Sequence, residues 1–262
     1  MFEECGIVPK RTSDLAEART ALRDKGAVIF QEIGGTEVEA REFAHLFFEP
    51  AAKAIPQGAR VFEGGEHDIT RVKATNTLRT PCHTDGFAYG DLYPDFLLLS
   101  CVTASPSGGE SILVDGYSIH RALAANPETA WAAKRMTTAA IDQTERGMQT
   151  AVSTIVMNNG SGRKMIRKTI EQRPVPQSED FDLDSQMIKI WHDAIEQASL
   201  TAPTCKLASG EVLLLDNYRM LHGRMPYEDL NRMLWRVWVW TDEALGVPSL
   251  PLASDTRFAN AT

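Results

Sequence analysis

His83-Thr84-Asp85 sets an imidazole and a carboxylate two residues apart, and Leu221-His222-Gly223-Arg224 brings a second imidazole far downstream. In an extended strand successive side chains alternate faces, so His83 and Asp85 point the same way and can grip one ion from one side. His222 would supply the third ligand. Two imidazoles and one carboxylate on a single face leave the remaining positions of an octahedral ion open, the arrangement of non-haem Fe(II) oxygenases that must bind a co-substrate and O2 together. The bland alternative is one satisfied core histidine and a capped loop.

A lone His-x-Asp is a weak signal that often marks no more than a surface turn. Here further segments follow it in order. Gly108-Gly109-Glu110-Ser111-Ile112-Leu113-Val114-Asp115-Gly116 reads as a turn feeding a β-rich run. Asp216-Asn217-Tyr218-Arg219-Met220-Leu221-His222-Gly223-Arg224 carries the second histidine, and Arg232 and Arg236 lie beyond it on Arg-Met-Leu-Trp-Arg.

With these segments in this order, residues 75 to 240 resemble the TauD/TfdA-type Fe(II)/2-oxoglutarate dioxygenases, and within them the branch of the γ-butyrobetaine and trimethyllysine hydroxylases. The resemblance implies a mainly β fold with flanking helices, a distorted double-stranded β-helix (jelly roll), as a single domain over residues 1–262. It implies that His83, Asp85 and His222 hold Fe(II) and form the catalytic centre, with 2-oxoglutarate and O2 as co-substrates. Arg232 stands where the family places its 2-oxoglutarate arginine, and a guanidinium meets a carboxylate through two parallel hydrogen bonds as Lys cannot. Ser111 stands where relatives carry Thr or Ser after Gly-Gly-Asp/Glu, as a hydroxyl donor to the same carboxylate. Arg236 shares a face with Arg232 if the strand is regular and would contact 2-oxoglutarate or an acidic group of the substrate; a surface salt bridge is its bland alternative.

The expected reaction is hydroxylation of an unactivated C–H bond of a small polar metabolite, an amino acid or amino-acid-like compound. Same-family desaturation or cyclisation uses the same residues. In halogenating relatives Gly or Ala replaces the carboxylate ligand, so Asp85 argues against halogenation. A non-catalytic metal-binding jelly roll and a zinc hydrolase are the rivals of a different class, and neither needs Arg232 and Ser111. The ending Trp-Arg-Val-Trp-Val-Trp departs from that of the butyrobetaine enzymes, and no segment here resembles their extra N-terminal metal-binding domain. Both departures bear on the substrate.

Around this centre, Asp216 or Asn217 is the expected acceptor for the second ring N–H of His222. Phe87, Tyr89 and Tyr93 follow the iron motif, and Trp238 and Trp240 share a strand face with Arg236; rings so placed wrap a cation or fill a core. Arg71, Lys73 and Asn76 are candidates for substrate contact.

The 262 residues are 43% hydrophobic, enough to fill one core. Lys plus Arg is 27 against 35 Asp plus Glu, a formal charge of −8, which argues against nucleic acid or an anionic membrane as the main partner. The expected partner is a small molecule, with homo-oligomerisation left open. No stretch approaches the ~20 apolar residues of a membrane span, and the first residues lack a secretory signal, so the cytoplasm is the expected compartment. The four cysteines form no Cys-x-x-Cys pair; Cys82, beside His83, alternates to the opposite face as a buried thiol.

Residues 13–25 read as a helix capped by Ser13 and closed by Gly26, and Ala27–Phe30 as a buried strand. Thr36 and Glu39 make a capping box for a helix with Phe43, Leu46 and Phe47 on its apolar stripe. Strands are expected at 69–76, 96–103, 112–114, 151–157, 164–170, 212–215 and 234–240, with a turn at Asn159-Gly160-Ser161-Gly162 and a loop over 173–184. Asp184–Leu200 is a helix whose Met187, Ile188, Trp191 and Ile195 pack in the core; Trp191 needs no ligand role.

Overall fold

The computed structural model describes residues 2–55, 60–62, 78–86, 89–144, 149–160, 162–229 and 231–249. In chain order its strands are β1 (Lys10–Thr12), β2 (Ala27–Phe30), β3 (Ala52–Ala54), β4 (Arg60–Phe62), β5 (Thr80–His83), β6 (Phe96–Thr103), β7 (Ser111–Asp115), β8 (Ile141–Asp142), β9 (Val152–Ser153), β10 (Val156–Asn158), β11 (Lys164–Ile166), β12 (Arg173–Pro174), β13 (Thr204–Cys205), β14 (Val212–Asp216), β15 (Met220–Arg224) and β16 (Met233–Thr241). The helices are α1 (Leu15–Lys25), α2 (Glu37–Phe48), α3 (Gly116–Ala125), α4 (Ala130–Arg135) and α5 (Phe181–Thr201).

Two sheets dominate. The larger runs β1-β2-β14-β6-β16-β3, with β4 also on β16; β1 and β2 are parallel and its other pairings antiparallel. The smaller runs β13-β7-β15-β5, antiparallel throughout. Strand alternation sorts their side chains into three packed layers. Ile29, Leu97, Leu213, Leu215, Leu234, Trp238 and Trp240 of the larger sheet meet Leu113, Met220 and Cys205 of the smaller one in a shared cluster. On the outer face of the larger sheet, Val28, Leu98, Leu214, Val237 and Val239 pack against Leu22 of α1 and Phe43 and Phe47 of α2. On the outer face of the smaller sheet, Cys82, Ile112, Val114 and Leu221 pack against Ile119 of α3, Ala133 of α4, and Trp191 and Ile195 of α5. Strands covered on both faces read as near-continuous apolar runs, as Val-Leu-Leu-Leu in β14 does.

Several local expectations hold. Gly26 ends α1 at φ 77, Thr36 and Glu39 make the full capping box of α2, and β10 and β11 pair across the expected turn. Cys82 is a buried thiol in the outer cluster, where burial pushes its pKa up to about 12. Others need correction. The side chain that caps α1 is Asp14, which accepts from the Glu17 amide; Ser13 lies one residue too early. Leu46 is 55% exposed, because Phe43, Phe47 and Phe48 already fill the groove under α2. The strand expected over 151–157 is two short ones, β9 and β10, and the one over 164–170 stops at Ile166. The expected loop over 173–184 contains β12 and the first turn of α5. Helices α3 and α4 were not expected; Asp115 accepts from the Tyr117 and Ser118 amides and so starts α3 straight out of β7. The strand expected over 69–76 lies outside the described residues.

Candidate metal centre

β15 lies between β7 and β5, with His222 directly across from His83 on one side and Leu113 on the other. Residues opposite one another in a ladder point to the same side. Leu113 belongs to the cluster between the sheets, so His222 and His83 face that interior, as do Arg224 and its register partner Ser111. β5 ends at His83, so Asp85 sits beyond the strand and alternation alone does not aim it. Asn217, fully buried after β14, does the aiming. Its Oδ1 accepts from the Asp85 amide at 3.0 Å, and its Nδ2 donates to the carbonyls of Asp85 (3.1 Å) and Pro94 (2.8 Å). Gly86 then turns the chain away at φ 91, where a Cβ would come within 2.3 Å of Pro94.

These placements bring the three expected ligands together. Asp85 Oδ1 lies 3.4 Å from His83 Nε2 and 3.6 Å from His222 Nε2, and the two imidazole centroids are 4.5 Å apart. The set is the one group of three or more His, Cys, Asp or Glu side chains placed to hold an ion among the described residues. His83 Nδ1 is 2.9 Å from the Pro81 carbonyl, which can only accept, so Nδ1 carries a proton and Nε2 is the ring nitrogen that faces the site. The two carboxylate oxygens of Asp85 have different surroundings. Oδ2 accepts from Trp238 Nε1 at 2.8 Å and forms an ion pair with Arg236 Nη1 at 3.0 Å. Oδ1 is buried with no hydrogen-bond partner among the described residues. Burial alone would raise the Asp85 pKa, but the Arg236 charge, the contact with His83 and the two imidazoles hold it well below the usual carboxylate range. A buried anionic oxygen left without a donor is costly. With two nitrogen donors turned toward it, a divalent cation of the kind that takes imidazole and carboxylate ligands relieves that cost, so the residues fit the metal.

Arg236 is not a surface ion pair: its side chain is 18% exposed, one Nη is on Asp85, and the guanidinium lies 4.8 Å over the Trp238 ring. Arg232 is buried near the start of β7, donating to the Gly109 carbonyl at 3.2 Å, with its guanidinium 4.9 Å over the Tyr227 ring. Gly109 is required there, since its φ is 74 and a Cβ would lie 2.8 Å from Arg232 Nε. Ser111 is buried on β7 opposite Arg224, whose guanidinium is 4.6 Å from the same Tyr227 ring. Arg224 and Tyr227 were missed from sequence. Arg224 had a signal, because it is two residues past His222 on one strand and therefore on its face; Tyr227, beyond Pro226, had none.

The expected acceptor role toward His222 is not the one Asp216 or Asn217 plays. Asn217 spends its amide on the Asp85 and Pro94 backbone, and Asp216 pairs with Arg163 at 2.8 Å. Tyr89, Trp238 and Trp240 pack edge-on with centroids 5.4 to 6.5 Å apart in the cluster between the sheets, and Tyr93 packs edge-on to Tyr218. These rings are core, apart from the Trp238 N–H. Trp191 is core as expected. Phe87, Arg71, Lys73 and Asn76 lie outside the described residues. A cavity of about 850 Å³ lined by Arg19, Phe47, Arg163 and Arg219 contains none of the three candidate ligands.

The family model "Taurine catabolism dioxygenase TauD, TfdA family" matches residues 7–238. The chain belongs to the TauD/TfdA family. Fe(II) and 2-oxoglutarate are the metal and co-substrate of that family's oxygenases, and the match extends the similarity well upstream of residue 75. The chain is 25% identical over 168 residues to gamma-butyrobetaine dioxygenase of Homo sapiens, which covers 59% of this chain and 42% of that protein. The match therefore spans less than half the length of the curated relative. Among solved structures, an asparagine oxygenase in complex with Fe(II), 2S,3S-3-hydroxyasparagine and succinate superposes with a TM-score of 0.59 at 15% identity, over 87% of this chain and 78% of that one. A taurine dioxygenase from Burkholderia xenovorans gives 0.60 at 18% identity, over 89% and 83%. At these identities the likeness is one of fold.

Proposed function

We propose that this TauD/TfdA-family member is a mononuclear Fe(II)/2-oxoglutarate-dependent dioxygenase that hydroxylates an unactivated C–H bond of a small polar metabolite, an amino acid or amino-acid-like compound. Residues 1–262 form one such domain, the two facing sheets making a distorted double-stranded β-helix. The observation that carries the reading is the unpartnered, buried Oδ1 of Asp85 between two imidazole nitrogens. The asparagine oxygenase and the butyrobetaine enzyme support the substrate class.

His83, Asp85 and His222 would hold Fe(II). Bound there, the metal with 2-oxoglutarate and O2 supplies the oxidant for hydroxylation, with succinate and CO2 as co-products. The protein's part is positional. Arg232 receives the far carboxylate of 2-oxoglutarate, with the Ser111 hydroxyl as a further donor, and Arg224 adds positive charge across Tyr227. Burial of these guanidiniums strengthens an anion contact relative to water. Leu113, Leu213 and Trp238 line the interior between the sheets and keep it dry. The Pro81 carbonyl accepts from His83 Nδ1–H and orients the ring so that Nε2 faces the site. The partner is a small molecule and the compartment the cytoplasm; among the described residues no helix is long and apolar enough to cross a membrane.

The test is a pooled metabolite screen for succinate release above the uncoupled background, run on the wild type and on His222→Ala. Substrate-dependent succinate that vanishes in the variant, together with lost anaerobic Fe(II) binding, is expected. Undiminished metal affinity in His222→Ala would remove it from the ligand set.

A further inference from the structure

We infer that Trp238 and Arg236 are positioning residues that limit Asp85 to a single metal-ligating oxygen. Arg236 and Trp238 are two apart on β16 and face the same interior. Trp238 Nε1 donates to Oδ2 of Asp85 at 2.8 Å, Arg236 Nη1 makes an ion pair with the same oxygen at 3.0 Å, and neither bonds Oδ1. The pair is braced: the guanidinium lies over the indole at 4.8 Å, and the indole is held edge-on by Tyr89 and Trp240. A carboxylate is free in principle to grip a cation with one oxygen or two. For Asp85 to use Oδ2 as well, the buried indole N–H would have to share or give up its acceptor with no water to replace it, since Asp85 and Trp238 are each 1% exposed, and the Arg236 ion pair would have to loosen. Asp85 therefore offers Oδ1 alone. The ion keeps one more position for co-substrate, O2 or substrate than a two-oxygen grip would leave. This role is carried by the indole N–H, a function that sequence periodicity assigns to core packing.

The inference rests on the triad being the metal centre, and the test separates the two. Trp238→Phe keeps the ring and deletes the N–H; Arg236→Lys keeps the charge and loses the reach of the planar fork. Each is titrated anaerobically with Co(II) by calorimetry, and the Co(II) visible absorption is recorded at saturation, with near-ultraviolet circular dichroism to verify folding. Wild type should bind one ion. Trp238→Phe should bind about 10-fold or more weakly, the usual scale for losing a group that orients a ligand. Its Co(II) bands should lose intensity as the second oxygen of Asp85 adds to the coordination number. Arg236→Lys should move both readouts the same way, and it stands in if Trp238→Phe does not fold. Wild-type affinity and wild-type bands in the folded variants would overturn the positioning role. A wild-type protein that binds no ion would instead overturn the metal centre.

Discussion

Asp85→Ala deletes the carboxylate without loosening the backbone, and the structure sets the size of its effect on the metal-free protein. Breaking a buried ion pair by removing one partner costs about 3–5 kcal/mol. Arg236 keeps an 18% exposed side chain, which places this pair toward the low end. Against that, the variant no longer buries the unpartnered Oδ1, a penalty of roughly 1–3 kcal/mol. The net loss is about 0–2 kcal/mol, equivalent to a fall in Tm of at most roughly 8 °C for a chain of this size. Arg236 Nη1 and Trp238 Nε1 still converge on the point that Oδ2 vacated, and a small anion can take its place. Chloride should therefore raise the Tm of the variant by more than an equal ionic strength of sulfate, and should do nothing comparable to the wild type. With Fe(II) and 2-oxoglutarate supplied, hydroxylation should collapse and iron affinity should weaken without vanishing. Chlorinated product should be absent or minor, because halide transfer also needs the substrate carbon held nearer chloride than hydroxyl, which other groups must arrange. The assays are melting curves across a chloride series and product mass spectrometry. Wild-type hydroxylation by the variant would show that Asp85 is no metal ligand. A melting temperature equal to wild type, with no chloride-specific gain, would refute the buried-pair reasoning.

Arg232→Ala should raise the 2-oxoglutarate KM by about 30-fold or more with a smaller change in the substrate KM, since truncating a buried charge-assisted contact costs about 2–5 kcal/mol. Steady-state kinetics in both co-substrates checks it, and a larger effect on the substrate would reassign the residue. His192 gives a pH dependence. Burial, then the Lys168 charge, pushes its pKa down to about 4 from 6.5, so the fold favours the neutral ring, whose Nε2 lies 2.9 Å from Gln172 Oε1. The unfolded chain then takes up the proton first on acidification. This contribution is complete above pH 6.5 and is lost as the pH falls toward about 4, by at most ~3 kcal/mol. Urea unfolding over that range should show the slope in wild type and lose it in His192→Gln; an unchanged slope would clear His192 of the effect.

A candidate donor set was legible without a fold because metal chemistry follows residue type, and His83, Asp85 and His222 stood in order with the Gly-Gly-Glu-Ser segment and two well-spaced arginines. Local elements were legible where a cap or an apolar period announced them, as at Gly26, Thr36 with Glu39, and the Met187–Ile195 stripe of α5. Misreadings fell where tertiary packing overrides local pattern. Leu46 had the right period but faced water because its neighbours had filled the groove, and α3 followed β7 with no polar loop between them. Sequence alone singled out side chains whose charge, basicity and donor atoms suit a metal and, in the function proposed here, an anionic co-substrate, because these are local properties. Only the tertiary structure decided how they are held. Asn217 aims Asp85 across 132 residues, and Trp238 pins one of its oxygens across 153. Such contacts depend on the register of β15 on β5 and of β16 on β6, and no local periodicity encodes that register.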